Sequence, residues 1–348
     1  MEKKIFEVSV IGASGYAGAE LVRILLSHPN VHLAALSSVS YTGQSIADLY
    51  PSYREICEKT LVSEEEAVEK GDVVFASLPH GLSQEIALRC SEKGKLFIDL
   101  GADFRLENGE TYTQWYGKDY IYPELHEKSV YGLSEIYRED IKKAKIIGNP
   151  GCYPTSVALA LYPAIKNGLV KADDFIVDSK SGVTGAGKSL TQKTHFPECN
   201  EAFSPYSIGK HRHTPEIEQT LSHFAHSPVR ITFVPHLLPV NRGIISTVYA
   251  EKNSGFGIEE IHGIYRKTYE NERFVRVLPL GDVANLKNVK MSNFCDISLH
   301  EDIHTSKLII VSAIDNMVKG AAGQAVQNMN IALGLDETAG INFVPPAI

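Results

Sequence analysis

Short apolar runs alternate with helical patterns through the first half of the chain. The runs VSVIG, HLAALSS, DVVFASLP and LFIDLG are separated by segments such as AELVRILLS and LSQEIALRC, whose apolar residues recur at helical spacing. Strands that alternate with helices in this way are typical of a parallel sheet with crossover helices. The pattern therefore predicts an α/β domain with a doubly wound parallel sheet.

The segment from about residue 175 to residue 315 has a different pattern. It contains the strand-like runs FIVDSKS, VRITFVP, IISTVYA, NFCDISLHE and KLIIVSAID with few helices between them, which predicts an α+β domain on a mostly antiparallel sheet. A late helix that packs back on the first domain is predicted by small and apolar residues at helical spacing, namely Met317, Ala321, Ala325, Met329 and Ala332. We therefore expect one domain of residues 1–151 plus 316–348 and a second of residues 152–315.

The composition is that of an ordinary globular protein. Of the 348 residues, 43% are hydrophobic and 22% are charged, and the chain has neither a low-complexity tract nor a run of eighteen apolar residues, which argues against disorder and a membrane span. The formal net charge is −8 without a basic stripe, which argues against nucleic acid as the main partner. Because the start leads directly into the strand-like IFEVSVIG, with no secretory leader, we expect a cytoplasmic protein.

The cysteines are odd in number, widely spaced and never arranged as CxxC. This usage indicates neither a disulfide framework nor a zinc site, and we expect no bound metal. The five positions are Cys57, Cys90, Cys152, Cys199 and Cys295.

A glycine-rich turn, GASGYAG, follows the first predicted strand and precedes a helical pattern. Strand, glycine turn and helix in this order are typical of a Rossmann-type dinucleotide site. The spacing Gly-x-x-Gly-x-x-Gly differs from the usual Gly-x-Gly-x-x-Gly, so a tight turn without a ligand remains the alternative. The residues predicted to contact the cofactor are Gly12, Ser14, Gly15, Tyr16, Ala17 and Gly18.

The end of the second predicted strand favours NADP over NAD. Ser37 and Ser38 stand where an NAD enzyme usually places a carboxylate for the ribose 2′-hydroxyl. The next arginine is Arg54, so hydroxyl and backbone donors of Ser37, Ser38 and Ser40 would have to hold the 2′-phosphate.

Residues 182–189, GVTGAGKS, match the phosphate-binding loop of nucleotide triphosphatases. The required helix is not predicted after it, because LTQKTHFPECNEAF lacks a helical apolar period and contains Pro197. A kinase or ATPase therefore remains an alternative, and we favour a glycine-rich active-site loop in which Lys188 faces an anionic substrate.

Cys152 is the candidate nucleophile. It lies in IIGNPGCYPTSVALALYPAI, at the end of a predicted strand and just ahead of a predicted helix. The positive end of a helix typically depresses a thiol pKa and directs backbone donors at an oxyanion. A thiolate beside a nicotinamide site indicates displacement of phosphate from an acyl phosphate, followed by reduction of the thioester to an aldehyde. The alternative is a buried cysteine without function, which we assign to the other four.

The segment KHRHTPEIEQTL supplies the candidate proton donor. Thr214 is predicted as a helix N-cap and Pro215 as the first helical residue, so Glu216 can reach back to orient the imidazole of His213. His213 is thus the predicted acid/base. His211 is the rival, or else a substrate phosphate contact or a solvent-facing residue.

Several segments resemble the N-acetyl-gamma-glutamyl-phosphate reductase family, whose members are NADPH-dependent oxidoreductases of arginine biosynthesis. They are the opening GASGYAGAELVR, then SLPHG, DLGADFRL, YGLSE, GNPGCYPT and HRHTPEIEQ, in this order along nearly the whole chain. Ser134 departs from the family, which more often has proline in YGLPE.

The resemblance implies a two-domain plan with cysteine chemistry and a homo-oligomer, either a dimer or a tetramer. It implies Cys152 as nucleophile, His213 as acid/base and Glu216 as its orienting partner. It also places Pro79, His80 and Asn316 near the NADP(H) cofactor. Arg105 and Arg212 are candidate contacts for the substrate anion. The alternative is that they are ordinary surface residues, since arginine is common on protein surfaces.

Three other functions remain open on the residues alone. A sister acyl-phosphate reductase, such as aspartate-semialdehyde dehydrogenase or the lysine-pathway aminoadipyl-phosphate reductase, would keep the same cysteine and cofactor. A nucleotide triphosphatase would use Lys188 instead. A redox-sensing regulator would bind the dinucleotide without needing Cys152 and His213.

Overall fold

The computed structural model of the protein describes residues 4–347. Over these residues the chain divides into two compact units. The first comprises the described residues up to Pro150 together with Ala321–Asn342, and the second comprises Gly151–Gly320 with the described residues from Phe343 onward.

The strands, numbered along the described chain, are β1 (Phe6–Ile11), β2 (Val31–Ser37), β3 (Leu61–Val62), β4 (Val73–Ala76), β5 (Leu96–Asp99), β6 (Ser129–Tyr131), β7 (Ile146–Gly148), β8 (Asp174–Gly182), β9 (Ser204–Pro205), β10 (Arg230–Leu238), β11 (Ile244–Glu251), β12 (Val275–Val277), β13 (Cys295–Asp302) and β14 (Lys307–Ile314).

The α-helices in the same range are α1 (Tyr16–Leu25), α2 (Ile46–Leu49), α3 (Glu64–Lys70), α4 (Gln84–Glu92), α5 (Gly109–Tyr116), α6 (Pro123–His126), α7 (Ser134–Ile141), α8 (Cys152–Lys166), α9 (Phe196–Cys199), α10 (Thr214–Ala225), α11 (Ile258–Thr268) and α12 (Gly323–Leu333). None of the helices between residues 4 and 347 is both long and apolar enough to cross a membrane.

The sheet of the first unit has the order β3-β2-β1-β4-β5-β7-β6, and all its neighbouring strands are parallel. Strand β4 is buried along its whole length, as expected for a parallel strand covered on both faces. The predicted doubly wound sheet is thus confirmed. The strand order reverses between β1 and β4, which is where sheets of this type bind their ligands.

The late helix α12 packs against α1 and α7 within the first unit. Ser134 begins α7, and its hydroxyl donates a 2.7 Å hydrogen bond to the buried amide oxygen of Asn328 on α12. Serine at position 134, in place of the proline more frequent in the family, thus provides a polar contact between α7 and α12.

The sheet of the second unit has the order β12-β13-β14-β11-β8-β10-β9. Its antiparallel pairs are β13/β14, β14/β11, β11/β8 and β10/β9, whereas β8/β10 and β12/β13 are parallel. The prediction of a mostly antiparallel sheet is confirmed, and the two parallel pairs make the sheet mixed. Helix α8 packs against β11, β14, α10 and α11, which explains why nearly all of its residues are buried.

Candidate active site

The glycine turn of residues 12–18 lies at the carboxyl end of β1. Gly12 has φ +80°, and a side chain there would overlap the carbonyl oxygen of Ser77. A side chain at Gly18 would overlap the carbonyl oxygen of Gly12. The first and third glycines are therefore required by the turn itself and by the close packing of α1 on the strand end.

Gly15 has a different role from its two neighbours. It is the N-cap of α1, and a Cβ built on it would meet only the Gly12 carbonyl oxygen, at an ordinary 3.5 Å. The packing of the described residues therefore does not require glycine there, and the missing side chain leaves room in front of a helix N-terminus. Such a space suits a dinucleotide pyrophosphate, so the residues present fit the predicted cofactor.

The serines at the end of β2 divide into buried and exposed positions. Ser37 is fully buried, and its carbonyl oxygen accepts hydrogen bonds of 3.0 Å each from the N–H groups of Gly12 and Ala13. The Ser38 hydroxyl lies 2.7 Å from that of Ser14, and Ser40 is exposed. Ser38 is buried like Ser37, so the exposed Ser40 and the half-buried Ser14 can offer hydroxyl groups to a 2′-phosphate more readily than either of them.

The loop after β4 carries Pro79 and His80. Pro79 is exposed, and the half-buried His80 ring lies 5.5 Å from the Tyr116 ring, centroid to centroid. Since Ser77 of the same loop contacts the Gly12 turn, both residues lie near the carboxyl edge of the first sheet, where sheets of this type generally bind their ligands.

Two buried carboxylates hold this loop. Asp103 accepts the N–H groups of Gly81 at 2.6 Å and of Ser83 at 2.9 Å, and Asp99 accepts the Ser83 hydroxyl at 2.7 Å. Burial and the neighbouring charge of Asp103 raise the pKa of Asp99. The DLGAD segment thus positions the loop of Pro79 and His80, a role that its sequence did not reveal.

Cys152 is the first residue of α8, and Gly151 is the N-cap. The Gly151 carbonyl accepts the N–H of Thr155 at 3.0 Å, so the N–H groups of Cys152 and Tyr153 precede the first intrahelical bond. The Cys152 side chain is half-buried. A sulfur atom thus lies at the positive end of a 15-residue helix, beside backbone donors suited to an oxyanion.

The other cysteines differ from Cys152 in position and burial. Cys57, Cys90 and Cys295 are buried, and Cys199 is half-buried at the end of the short helix α9. Burial raises the pKa of the Cys90 thiol to about 12, so this thiol stays protonated at neutral pH.

The beginning of α10 differs by one residue from its predicted position. The structure places His213 at the N-cap and Thr214 as the first helical residue. The reason is that the first helical bond, of 3.0 Å, runs from the N–H of Ile217 to the carbonyl of His213. His213 therefore lies at the N-terminal edge of α10.

Glu216 links α10 to the turn that carries Cys152. It is fully buried, and its Oε1 accepts the N–H of Gly151 at 2.8 Å. This contact with the cysteine turn adds a role that the sequence did not predict, because residues 151 and 216 are far apart along the chain.

His211 and His213 lie in an aromatic cluster with Tyr153, the residue that follows Cys152. The Tyr153 ring is 5.5 Å from the His211 ring and 5.9 Å from the His213 ring, centroid to centroid. The Tyr153 hydroxyl also lies 3.0 Å from that of Tyr206, and burial raises the pKa of Tyr206 to about 12. No sequence pattern indicated Tyr206, since only the fold brings it to Tyr153.

The protonation of His211 is set by its surroundings. Burial, together with the nearby Arg212 charge, lowers the pKa of His211 to about 4. Its Nδ1 accepts the N–H of His213 at 3.1 Å, so the single proton of the neutral ring lies on Nε2. Near pH 7 His211 is therefore a neutral donor, poorly matched to proton transfer, and this favours His213 as the acid/base.

The loop of residues 182–189 belongs to the second unit. It begins where β8 ends, forms a 3₁₀ turn over Val183–Ala186 and leaves Lys188 exposed. The described residues after it form a second 3₁₀ turn and then the four-residue α9, so the helix that a phosphate-binding loop requires does not come next.

Asn316 holds this loop at the sheet edge. Its Oδ1 accepts the N–H of Gly243 at 2.7 Å, and its Nδ2 donates to the Thr184 hydroxyl at 3.0 Å. Both amide atoms are thus engaged within the second unit, and a cofactor contact of Asn316 stays a prediction.

The two candidate arginines have opposite exposures. Arg105 is buried in the first unit, where it donates to the carbonyls of Asn149 at 2.8 Å and Leu100 at 2.7 Å. Arg212 is exposed in the second unit. Arg105 therefore supports the strand ends, and Arg212 is the more accessible of the two for an anion.

Among residues 4–347, the histidines, cysteines and carboxylates form no cluster of three or more that could hold a metal ion.

Two protein families match the chain in sequence. Residues 7–144 match the family described as semialdehyde dehydrogenase, NAD binding domain. Residues 152–316 match the family described as semialdehyde dehydrogenase, dimerisation domain.

Relatives of nearly the same length are similar throughout. The N-acetyl-gamma-glutamyl-phosphate reductase of Brachyspira hyodysenteriae is 59% identical over 351 residues, covering 99% of this chain and 100% of that protein. The N-acetyl-gamma-glutamyl-phosphate reductase of Clostridium beijerinckii is 54% identical over 341 residues, covering 98% and 99%.

Solved structures share the fold at much lower identity. Aspartate semialdehyde dehydrogenase II from Vibrio cholerae, complexed with ASA, has a TM-score of 0.73 at 19% identity and covers 95% of this chain and 99% of its own. Aspartate semialdehyde dehydrogenase with NADP from Candida albicans has a TM-score of 0.69 at 16% identity, covering 94% and 98%. These two likenesses establish the architecture alone.

Proposed function

Because the chain belongs to the N-acetyl-gamma-glutamyl-phosphate reductases of the semialdehyde dehydrogenase family, we propose that it reduces N-acetyl-gamma-glutamyl phosphate to N-acetylglutamate semialdehyde and phosphate, with NADPH, in arginine biosynthesis. The observation that carries the mechanism is the placement of Cys152 at the N-terminus of α8.

The first unit binds the cofactor in this proposal. The N-terminus of α1 at Gly15 receives the pyrophosphate, and the exposed Ser40 hydroxyl, with the paired hydroxyls of Ser14 and Ser38, faces the 2′-phosphate. When bound, the cofactor supplies the hydride for the reduction. Pro79 and His80 lie on the loop that the two buried aspartates hold at the same sheet edge.

The second unit carries out acyl transfer. The Cys152 sulfur attacks the acyl carbon of the substrate, the C–O bond to phosphate breaks, and inorganic phosphate leaves with the electron pair of that bond. The oxygen that becomes negative in the tetrahedral intermediate is stabilised by the N–H groups that open α8. The product of this step is a thioester on Cys152.

Proton transfer by His213 completes the reduction. The thioester carbon accepts a hydride, and His213 donates a proton to the oxygen, which gives a thiohemiacetal. Removal of the same hydroxyl proton by His213 then lets the C–S bond break, which releases the aldehyde and the Cys152 thiolate. Glu216 positions the nucleophile through the Gly151 N–H and lies one helical turn from His213.

Contacts with the substrate anions complete the proposed site. Lys188 and Arg212 are exposed cations of the second unit, and the neutral Nε2–H of His211 is a further donor. We assign these three to the acyl phosphate and carboxylate groups, and we give Arg105 a supporting role at the strand ends of the first unit.

The second unit also offers a surface for a second copy of the chain. Tyr249 of β11 stands between Ile176 of β8 and Ile309 of β14 in register, on the opposite face from the buried Val248 and Ile310 that pack against α8. Ile176 is 46% exposed. A homo-oligomer that covers this apolar row fits the dimerisation description of residues 152–316, and Tyr249→Asp should dissociate it in light-scattering measurements.

A nucleophilic thiol and a reduced nicotinamide cofactor both require reducing conditions. We therefore assign the protein to the cytoplasm, where thiols are kept reduced.

The reverse reaction tests this function. The purified protein is incubated with N-acetylglutamate semialdehyde, phosphate and NADP, and NADPH formation is followed by absorbance. We expect phosphate-dependent turnover that Cys152→Ser abolishes, and clear preference over aspartate semialdehyde. Preference for aspartate semialdehyde would instead assign the chain to the aspartate-semialdehyde dehydrogenases.

A further inference from the structure

A π-helix of five residues, Val318–Ala322, precedes α12. Its π-type bond, from the N–H of Gly320 to the carbonyl of Asp315, is 2.9 Å long. Single π turns within helices are rare and occur frequently at functional sites. The first three residues of this turn, Val318–Gly320, belong to the second unit, as does Cys152.

Asp315 holds the π turn in place. Its carboxylate is fully buried and accepts the N–H groups of Met317 at 2.8 Å and Val318 at 3.1 Å. Its other oxygen accepts the N–H of Met291 at 2.6 Å. The backbone that leads to Gly320 is therefore fixed by two hydrogen bonds to one side chain, and the third bond, from Met291, holds that side chain in place.

The π turn brings Gly320 against the base of the nucleophile. A Cβ built on Gly320 would lie 2.7 Å from the Cβ and 3.2 Å from the Cα of Cys152, and 3.3 Å from Cδ1 of Ile314. The Cα and Cβ of Cys152 belong to the first turn of α8 and cannot rotate away, unlike the end of a flexible side chain. Any residue other than glycine at position 320 would therefore displace the π turn or Cys152.

We propose that Gly320 is a positioning residue for Cys152. The missing side chain lets the π turn lie directly against the Cα and Cβ of the cysteine, which fixes the direction of the sulfur and covers one side of it. This inference rests on the proposed role of Cys152 as nucleophile. Because a misplacement of about 1 Å can cost roughly a hundredfold in rate, we expect Gly320→Ala to lower kcat by about 10- to 100-fold.

A purely structural role makes a different prediction. If glycine at position 320 only relieves crowding in the core, the contact with Ile314 should account for the effect. Ile314→Val removes Cδ1, so the double variant Gly320→Ala/Ile314→Val relieves that contact and leaves the contact with Cys152. The two roles therefore differ in whether the second substitution restores kcat.

The experiment compares Gly320→Ala, the double variant and a control, Gly263→Ala. Gly263 lies on α11, and a Cβ there would meet no atom within 4 Å. Each variant is made in a Cys199→Ser background, because Cys199 is the other cysteine that is not buried. We measure kcat and KM in the semialdehyde assay, the rate of Cys152 alkylation by iodoacetamide against pH, and NADPH binding as a check on folding.

We expect both Gly320 variants to lose kcat at least tenfold, with KM within about threefold, and to show a changed pH profile of Cys152 alkylation. Gly263→Ala should match the wild type. An unchanged kcat and alkylation profile in Gly320→Ala would overturn the proposal, as would recovery of kcat in the double variant. If Gly320→Ala does not fold, the double variant decides by the same criteria. If the double variant does not fold either, Asp315→Asn is used, because it adds no volume. This variant must then change the pH profile of Cys152 alkylation.

The alkylation measurement keeps this inference separate from the proposed reaction. A wild-type protein that is inactive on N-acetylglutamate semialdehyde would contradict the function. A Cys152 alkylation profile that responds to Gly320→Ala would still establish the positioning contact.

Discussion

The chain has two glycine-rich loops that resemble phosphate-binding loops, and they differ in the element that comes next in the chain. The loop of residues 12–18 leads into the ten residues of α1. The loop of residues 182–189 leads into the 3₁₀ turn Gln192–Thr194 and the four-residue helix α9. The second loop matches a known nucleotide-binding pattern letter by letter, and the first does not.

We infer from this difference that a binding site of this kind depends on the helix that follows and not on the string of glycines. A helix N-terminus supplies N–H groups without intrahelical acceptors and a positive dipole end. The three turns that we assign to function each open a helix, at Gly15 for α1, Gly151 for α8 and His213 for α10. The loop of residues 182–189 opens none, so its contribution rests on the side chain of Lys188.

After the complete loss expected for Cys152→Ser, the largest effect is expected at the turn that opens α10. His213→Asn should lower kcat about a hundred- to ten-thousand-fold, because it removes the acid/base group, and asparagine is itself a good N-cap that preserves the helix. The kcat of Glu216→Gln should lie between that of His213→Asn and that of the wild type, since the glutamine amide oxygen can still accept the Gly151 N–H. NADPH binding should be unchanged in both variants.

The matched control at this turn is His211→Asn, which should mainly raise the substrate KM. Because the pKa of His211 is lowered to about 4, this ring stays neutral from about pH 6 to about pH 8 and contributes no limb to the profile of kcat against pH there. An inactive His211→Asn beside an active His213→Asn would reverse the assignment.

A second effect separates the two glycine loops directly. In Gly18→Ala the new Cβ would overlap the Gly12 carbonyl oxygen. Overpacking of this kind costs about 1–3 kcal/mol. If the distorted turn loses that much binding free energy, NADPH affinity should fall about 10- to 100-fold. In Gly185→Ala the new Cβ would lie 3.3 Å from the Ser181 hydroxyl, and affinity should stay within about twofold. Calorimetric titration measures both, and equal losses would show that the second loop also binds the dinucleotide.

A smaller effect concerns the choice between the two nicotinamide cofactors. Ser38→Asp places a carboxylate beside the expected 2′-phosphate, which should shift the ratio of kcat/KM from NADPH toward NADH by about one to a few kcal/mol. Ser37→Ala is the control, because Ser37 contacts the glycine turn through its backbone carbonyl, which alanine retains, and the ratio should stay unchanged. Equal wild-type efficiency with both cofactors would contradict our interpretation of the end of β2.

The smallest effect is expected for Lys188→Ala. An exposed ion pair typically contributes about 0–1 kcal/mol, so the substrate KM should rise less than about tenfold while kcat changes little. A hundredfold loss of kcat, or hydrolysis of ATP by the wild-type protein, would show that residues 182–189 act as a nucleotide triphosphatase loop after all.

The sequence was most informative where local patterns determine structure. Alternating strands and helices predicted the parallel sheet, and the residues around Cys152 predicted a helix N-terminus, because both depend on contacts between near neighbours in the chain. The same local information suggested the start of α10 and was wrong by one residue, since helix ends depend on individual hydrogen bonds.

Contacts between distant residues could not be predicted in this way. The bond from Gly151 to Glu216, the pairing of Tyr153 with Tyr206 and the approach of Gly320 to Cys152 each join segments that only the tertiary fold brings together. The parallel pairing of β8 with β10 has the same origin, because the apolar pattern of a strand does not specify its partner.

The acyl-enzyme tests the central claim most directly. The protein is mixed with N-acetyl-gamma-glutamyl phosphate in the absence of NADPH, and released phosphate is measured together with the intact mass and peptide map of the protein. The account predicts about one phosphate per active site and one N-acetylglutamyl group bound to Cys152, both absent in Cys152→Ser. An acyl group on another residue, or no phosphate release until NADPH is added, would contradict a Cys152 thioester.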